Sequence, residues 1–376
     1  MIGPVAVILA AGQGKRMKSD KPKVLHEVCG QSMIRHVVNA AFGAGVSDVV
    51  VIVGQGADQV KASLAGTPNV HFATQERQLG TGDAVKSAKA VLSGYTGPVM
   101  ILVGDEPCLR SGPLAELLEK QKATQVACLM GTSIVPDPSG YGRILRDTTG
   151  AFLRIIEQKD CTPEQAAITE VNPSCYVFMA QGLWESLEEV IPSNAQGEFY
   201  LTDAPEILQK KGHEVQAIVT LEPDDILGIN TRQHLAEAHA IMSRRILDKL
   251  MDDGVTIFDP KSTYVDSRAQ IGADTVIYPF SVVDGEVTVG AGAITANFDG
   301  RHKQQTKIGD QVTIGAGSVL VAPTSIGNRS KVGAGAVVTP ARPVPPDTTV
   351  VGVPAQPIAR SKDNDGRPVD PEQPPR

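Results

Sequence analysis

A doubly wound α/β domain followed by a short parallel β-helix is the architecture this sequence predicts, on three observations. From residue 5 to about 230, short apolar runs alternate with helical patterns. The first run opens onto a glycine-rich basic loop, and from Val265 onward an aliphatic residue returns at intervals of six. With 376 residues, 41% of them hydrophobic, the chain is long enough for two or more domains, each with its own core.

Val5 to Leu9 is the first strand. A helix near 32 to 43, a strand at Val49 to Val53, helices near 56 to 65 and 81 to 92, and a strand at Val99 to Val103 follow. Continuous apolar runs bounded by helices predict a mostly parallel sheet covered on both faces. Ligands of such sheets collect outside the carboxyl ends of the strands, where the loop after Leu9 lies. Residues 231–254 read as a linker helix with a stripe of Leu235, Ile241, Ile246 and Leu250 and a stop at Gly254. The predicted organisation is a first domain at 1–230, that linker helix, a repeat domain at 255–360, and a polar, Pro-rich, disordered tail at 361–376.

In the repeat domain the hexads open at Val265, Ile271, Ile277, Val283 and Val289, then at Ile308, Ile314, Leu320, Ile326, Val332 and Val338. Units such as IGADTV, VGAGAI, IGAGSV and VGAGAV also keep small residues at fixed places. A period of six fits no helix, and a plain strand alternates at two without requiring small residues. Such hexads build parallel β-helices, three short strands to a coil, and about four coils are predicted here. The competing fold is a glycine-rich β-sandwich.

The loop reads LAAGQGKRM, Leu9 to Met17, followed by the step Lys21-Pro22-Lys23. Gly12 and Gly14 let the backbone turn sharply and approach an anion, while Lys15, Arg16, Lys23 and free amides supply positive potential at a strand-to-helix junction. That suits a polyphosphate. The spacing matches neither the Walker loop nor the dinucleotide fingerprint, and glycine at such junctions also serves geometry alone. A net charge of −7 gives no general attraction to nucleic acid or an anionic membrane, so an anion must be held by local positive charge. The five cysteines, Cys29, Cys108, Cys128, Cys161 and Cys175, lack metal-ligand or CxxC spacing and read as reduced thiols. No apolar stretch approaches the roughly 18 residues that span a bilayer. The first apolar run is too short for a signal peptide and has no basic region before it, so a cytoplasmic protein is expected.

The run LAAGQGKRMKSDKPKVLHEVCGQSMI resembles the signature of sugar-1-phosphate nucleotidyltransferases, whose Rossmann-like domain joins a nucleoside triphosphate to a sugar phosphate and releases pyrophosphate. Together with QERQLGTGDA (75–84), VMILVGD, SGYGRI, IIEQKD, EVNPS, NAQGEFYLTD (194–203) and LGINTR, it makes residues 5–259 similar to one bacterial family. Those are the bifunctional enzymes that make UDP-N-acetylglucosamine, acetylating glucosamine 1-phosphate in the C-terminal half and uridylylating the product in the N-terminal half. The resemblance implies a UDP-N-acetylglucosamine diphosphorylase that takes UTP and N-acetylglucosamine 1-phosphate, with Mg2+ as cofactor. By the same resemblance Leu9, Ala10, Ala11, Gly12 and Lys23 hold the nucleotide, and Gln75, Gly80 and Thr81 read uracil. Val103, Gly104 and Asp105 close the strand beside the phosphates, and Gly142, Glu157 and Asn172 contact the amino sugar. Asp105 and Asn230 are the metal ligands, and Arg16 and Lys23 the catalytic cations. Two hard oxygen ligands suffice for magnesium, which fills its remaining positions with phosphate and water. An Asp that closes a strand also serves as a helix cap.

Two departures from the family qualify this reading. Pro173-Ser174 stand where the family has Thr-Gly after the sugar-site asparagine, which stiffens the backbone, removes an amide donor and leaves another sugar 1-phosphate or nucleotide open. VGAGAITANFDGRHKQQTKIGDQVTIGAGSVLVAP (289–323) is similar to the acetyl-CoA end of the family's left-handed β-helix, with Asn297, Phe298 and Asp299 in place of Asn-Tyr-Asp in an insert loop. About five coils that carry the family's catalytic histidine are absent upstream of it. His302, inside the insert, reads as a solvated loop residue. The resemblance therefore implies a homotrimer through the β-helix that keeps uridylyl transfer and has lost acetyl transfer. A full bifunctional enzyme and a non-catalytic regulatory subunit are the alternatives.

Overall fold

The computed structural model describes residues 1–357 except 2, 193, 195, 298–301, 303 and 341. The chain divides into two compact units, Met1–His239 and Ala240–Arg376. That division falls inside the helix Arg232–Asp252, so the expected linker is shared rather than separate. Ala238 is buried in the first unit, whereas Leu247 and Leu250 join the core of the second. The predicted tail at 361–376 lies outside the described residues.

One nine-stranded sheet organises the first unit, with Val5–Leu9 lying between Asp48–Val53 and Pro98–Val103 and parallel to both. Because side chains alternate along a strand, Ala6 and Ile8 enter a core with Ile34, Val37 and Leu114, while Val5 and Val7 enter another with Val85 and Leu183. Both faces are thus covered, as the continuous apolar runs require. The helix expected at 81–92 is shorter, Thr81–Lys86, and continues as hydrogen-bonded turns.

Beyond residue 103 the sheet is less parallel than predicted. Glu170–Met179 runs antiparallel between Pro98–Val103 and Cys128–Ile134, and Gly142–Arg146 with Phe152–Ile156 forms an antiparallel excursion from it. Parallel neighbours need a crossover of a dozen or more residues, and these two short strands are joined by a tight turn closed by the Ala151 carbonyl and the Asp147 N–H at 2.9 Å. Because the antiparallel strand pairs Tyr176 with Ile101 and Met179 with Pro98, its beginning, not its end, reaches the carboxyl edge of the parallel strands.

The second unit is the predicted parallel β-helix of hexapeptide repeats. Three stacks of parallel strands run along it, one of them from Thr256–Ile257 through Val276–Ile277, Ile294–Ala296 and Val319–Val321 to Val337–Val338. Every predicted hexad opener lies on a strand, and all but the partly buried Ile271 are core residues. Thr295 takes the corner where the sequence breaks rhythm. Parallel partners sit eighteen residues apart except in the first coil, where Thr256 meets Val276 at twenty, and across the insert, where the spacing grows to twenty-five. Among the described residues, no helix is long and apolar enough to cross a membrane, and no cysteine is disulfide-bonded.

The glycine that follows the corners Ile271, Val289 and Ile314 has a steric cause. A Cβ on Gly290 would lie 2.5 Å from the Ala316 backbone nitrogen of the next coil, and one on Gly315 would collide with the Ala334 nitrogen in the same way. Coils therefore stack backbone on backbone at this column. Gly315→Ala should destabilise the β-helix by about 1–3 kcal/mol, seen as a lower denaturant midpoint for its unfolding; an unchanged midpoint would show that the coils can separate there without penalty.

Candidate active site

The loop after Leu9 reaches the helix expected near 32 to 43 only after an intervening stretch. Two single turns, Lys15–Met17 and Lys23–Leu25, and a short hairpin come first, and the first α-helix begins only at Met33. The positive potential here comes from side chains, not from a helix dipole. The glycines also divide their work differently than expected. Gly14 takes a left-handed conformation, φ 61°, and a Cβ on it would lie 2.7 Å from that of Lys23. Gly12 has no such constraint and faces open space.

An open cleft of about 250 Å³ lies at the carboxyl edge, lined among others by Leu9, Ala10, Ala11, Gly12, Lys23, Gln75, Gly80, Thr81, Val103 and Asp105. At its mouth the Lys23 ammonium pairs with the Asp105 carboxylate and donates to Asn230 Oδ1 at 3.2 Å. Backbone bonds prepare this meeting. Gly104 N–H donates to the Leu9 carbonyl at 2.8 Å, and Ile229 N–H to the Asp105 carbonyl at 2.9 Å, which carries Asn230 alongside. Arg16 is not brought to the cleft, being exposed on the turn Lys15–Met17.

Gln75 is buried and spends its amino group internally, donating to the Gly80 carbonyl at 3.1 Å and to Asp83 Oδ2 at 2.8 Å. Since a carbonyl can only accept, the amide orientation is fixed. Gly80, at φ 120°, passes so close to the Phe199 backbone that a Cβ would lie 2.5 Å from its oxygen. The Thr81 hydroxyl accepts from Leu201 N–H at 3.0 Å.

The three predicted sugar contacts gather on the antiparallel excursion rather than on the lining of the cleft. Asn172 pairs with Gly142 across two strands, and Glu157 follows the third strand, accepting a hydrogen bond from the Thr202 hydroxyl at 3.1 Å. Burial, then the charges of Asp160 and Asp203, raises the Glu157 carboxyl above its ordinary range. Burial with Glu206 and Asp160 nearby pushes Asp203 up to about 6. Burial beside Asp105 holds Glu106 well above the usual range, and its Oε2 has no hydrogen-bond partner among the described residues.

Sequence reasoning missed several contributors. Gln78 donates to the Ala11 carbonyl across the cleft, and Glu198 lines it. Arg143, fully buried, donates to the carbonyl of Tyr141 and to Gln158 Oε1 at 2.7 Å, tying the Gly142 segment to the one that carries Glu157. Its place directly after Gly142 in SGYGRI was the available signal. In the second unit Asn297 is not an open loop residue. It is buried, donating to the Pro279 carbonyl at 2.8 Å and to the Ser281 hydroxyl at 2.9 Å, while Phe298 and Asp299 lie outside the described residues.

Residues 6–195 match the MobA-like NTP transferase domain, and residues 305–340 the bacterial transferase hexapeptide repeats. The bifunctional protein GlmU of Halalkalibacterium halodurans is 44% identical over 82% of this chain and 67% of its own length. That of Pelotomaculum thermopropionicum is 46% identical over 73% of this chain and 60% of its own. The matched part thus spans only about two thirds of these curated relatives. A UDP-glucose pyrophosphorylase solved with UDP-glucose shares the fold at a TM-score of 0.52 and 17% identity, covering 64% of this chain and 98% of that one. With its transferase domain and its hexapeptide repeats in this order, the chain belongs to the family of the bifunctional protein GlmU.

Proposed function

We propose that the first unit is a uridylyltransferase forming UDP-N-acetylglucosamine and pyrophosphate from UTP and N-acetylglucosamine 1-phosphate. The observation that carries this reading is the meeting of Lys23, Asp105 and Asn230 at the mouth of a cleft lined by Leu9 to Gly12, Gln75, Gly80 and Thr81. A phosphate oxygen of the sugar 1-phosphate attacks the α-phosphorus of UTP, the bond to the β-phosphate breaks, and pyrophosphate leaves. No side chain has to act as nucleophile, because a phosphate monoester, with a second pKa of about 6, is largely dianionic at neutral pH. The residues position the reactants and neutralise charge.

Asp105 and Asn230 offer two hard oxygens that already share a cation, the Lys23 ammonium, so the pair fits magnesium. When bound, the ion supplies charge neutralisation at phosphate oxygens. Lys23 stabilises the charge that builds on pyrophosphate, and Arg16 joins it when the Gly12–Met17 loop folds over the triphosphate. Gln75, both amino hydrogens engaged, offers the base only an acceptor, which suits the ring N–H of uracil. Glu157 and Asn172 accept from and donate to the sugar's hydroxyl and acetamido groups.

Lys23→Ala should reduce turnover by about 100-fold or more, and Asp105→Ala should abolish the magnesium dependence; pyrophosphate release from UTP and N-acetylglucosamine 1-phosphate measures both, and near-normal rates in either variant refute the assignment. Because the Glu157 carboxyl is raised, it gains a proton earlier than an ordinary glutamate as the pH falls, losing acceptor capacity. The KM for the sugar phosphate should therefore climb on the acid side, and Glu157→Gln should flatten that climb. The substrate's own ionisation affects both proteins equally, so identical profiles would remove Glu157 from the sugar site.

We infer too that the second unit trimerises the protein and does not transfer acetyl groups. Supporting this, His302 is the only histidine after His239 and sits exposed in the insert. The purified protein should sediment at three chain masses and leave glucosamine 1-phosphate unacetylated in the presence of acetyl-CoA. A monomer, or measurable acetyl transfer, contradicts the respective half of this inference.

A further inference from the structure

Asn172 is held by two internal hydrogen bonds. The Ser174 backbone N–H donates to its Oδ1 at 3.2 Å, and its Nδ2 donates to the Tyr176 hydroxyl at 2.7 Å. A backbone N–H can only donate, so the first contact fixes which end of the amide is oxygen, and the second obliges the phenol to accept. Asn172 is 5% exposed and Tyr176 0%, so water cannot readily replace either partner. The ring of Tyr176 is itself braced against Phe178, with centroids 5.6 Å apart.

The backbone is shaped to make this arrangement. Register with Cys128–Ile134 shifts between Val171 and Cys175, so residues 172–174 bulge from that ladder while Asn172 pairs with Gly142 instead. Ser174 takes φ 59°, a left-handed conformation that non-glycine residues seldom adopt, and its N–H turns back to the side chain two residues earlier. Proline at 173 has no N–H to give, and the Ser174 amide serves Asn172 in its place.

Resting on the sugar site argued above, we propose that Tyr176 is a positioning residue that sets the amide of Asn172 for the sugar. With one N–H on Tyr176 and one lone pair on Ser174, Asn172 keeps one donor and one acceptor. That pair matches a substituent presenting both an acceptor and a donor, as an acetamido group does, and selects against a sugar phosphate bearing an amine at that position. Tyr176 touches neither reactant and acts only through Asn172.

Tyr176→Phe removes the hydroxyl and keeps the ring. In the full-length protein its KM for N-acetylglucosamine 1-phosphate should rise about tenfold, with the KM for UTP and the thermal midpoint little changed. In an Asn172→Ala background the same substitution should shift the sugar KM by less than about twofold, because the effect passes through Asn172. Calorimetric binding of UDP-N-acetylglucosamine gives the same comparison where turnover is too low. Equal increases in both backgrounds, or a normal sugar KM for Tyr176→Phe beside a raised one for Asn172→Ala, overturn the proposal. A normal sugar KM for Asn172→Ala itself overturns the sugar-site assignment, and the proposal with it.

Discussion

The Lys23 ammonium, shared between the Asp105 carboxylate and the Asn230 side-chain oxygen, joins parts of the chain 82 and 207 residues apart. Both charged side chains are largely withdrawn from water, 14% and 20% exposed, where attraction between opposite charges is strong and an unpaired partner is costly. This contact requires that Gly14 lack a side chain, that Pro98–Val103 end beside Leu9, and that Ile229 bond the Asp105 carbonyl. The cleft, the fixed amide of Gln75 and the bulge at Asn172 are arranged around an edge that the three residues hold together.

Charge is distributed unevenly across that edge. Lys15, Arg16 and Lys23 lie on the glycine-loop side, whereas Glu157, Asp160, Asp203 and Glu206 gather at the other, where burial first and then neighbouring carboxylates raise Glu157 and Asp203. In the proposed reaction this asymmetry draws anionic phosphates to the first side and the sugar's neutral hydroxyls to the second.

Much of this was legible from residues alone, for reasons that differ by region. The β-helix repeats because every coil meets the same steric demand, so Val265 through Val338 announce its strands, and the Gly-Ala pairs record backbone contact between coils. That Asp105 and Asn230 would come together was readable by resemblance, since each stands in a distinctive short motif. The contacts of Gln78, Arg143 and Tyr176 were not, because they depend on which carbonyl or amide another segment presents. The turns and hairpin between the glycine loop and the helix at Met33, and the antiparallel strand within the sheet, escaped for a related reason. Local apolar pattern marks a buried strand without stating its direction, and glycine marks a turn without specifying the next element.

The reversed strand Glu170–Met179 has a consequence for how this site can vary. Parallel strands deliver residues to the carboxyl edge from their ends, so Asp105 is bound to the strand that also forms the centre of the core. The reversed strand delivers Asn172 from its beginning, after an excursion that pairs with little else in the sheet. Substitutions and length changes between residues 135 and 170 can therefore reshape one end of the site while the other stays fixed. Under the proposed function, sugar preference is in this way uncoupled from the phosphate chemistry, and the two can diversify at different rates within one lineage.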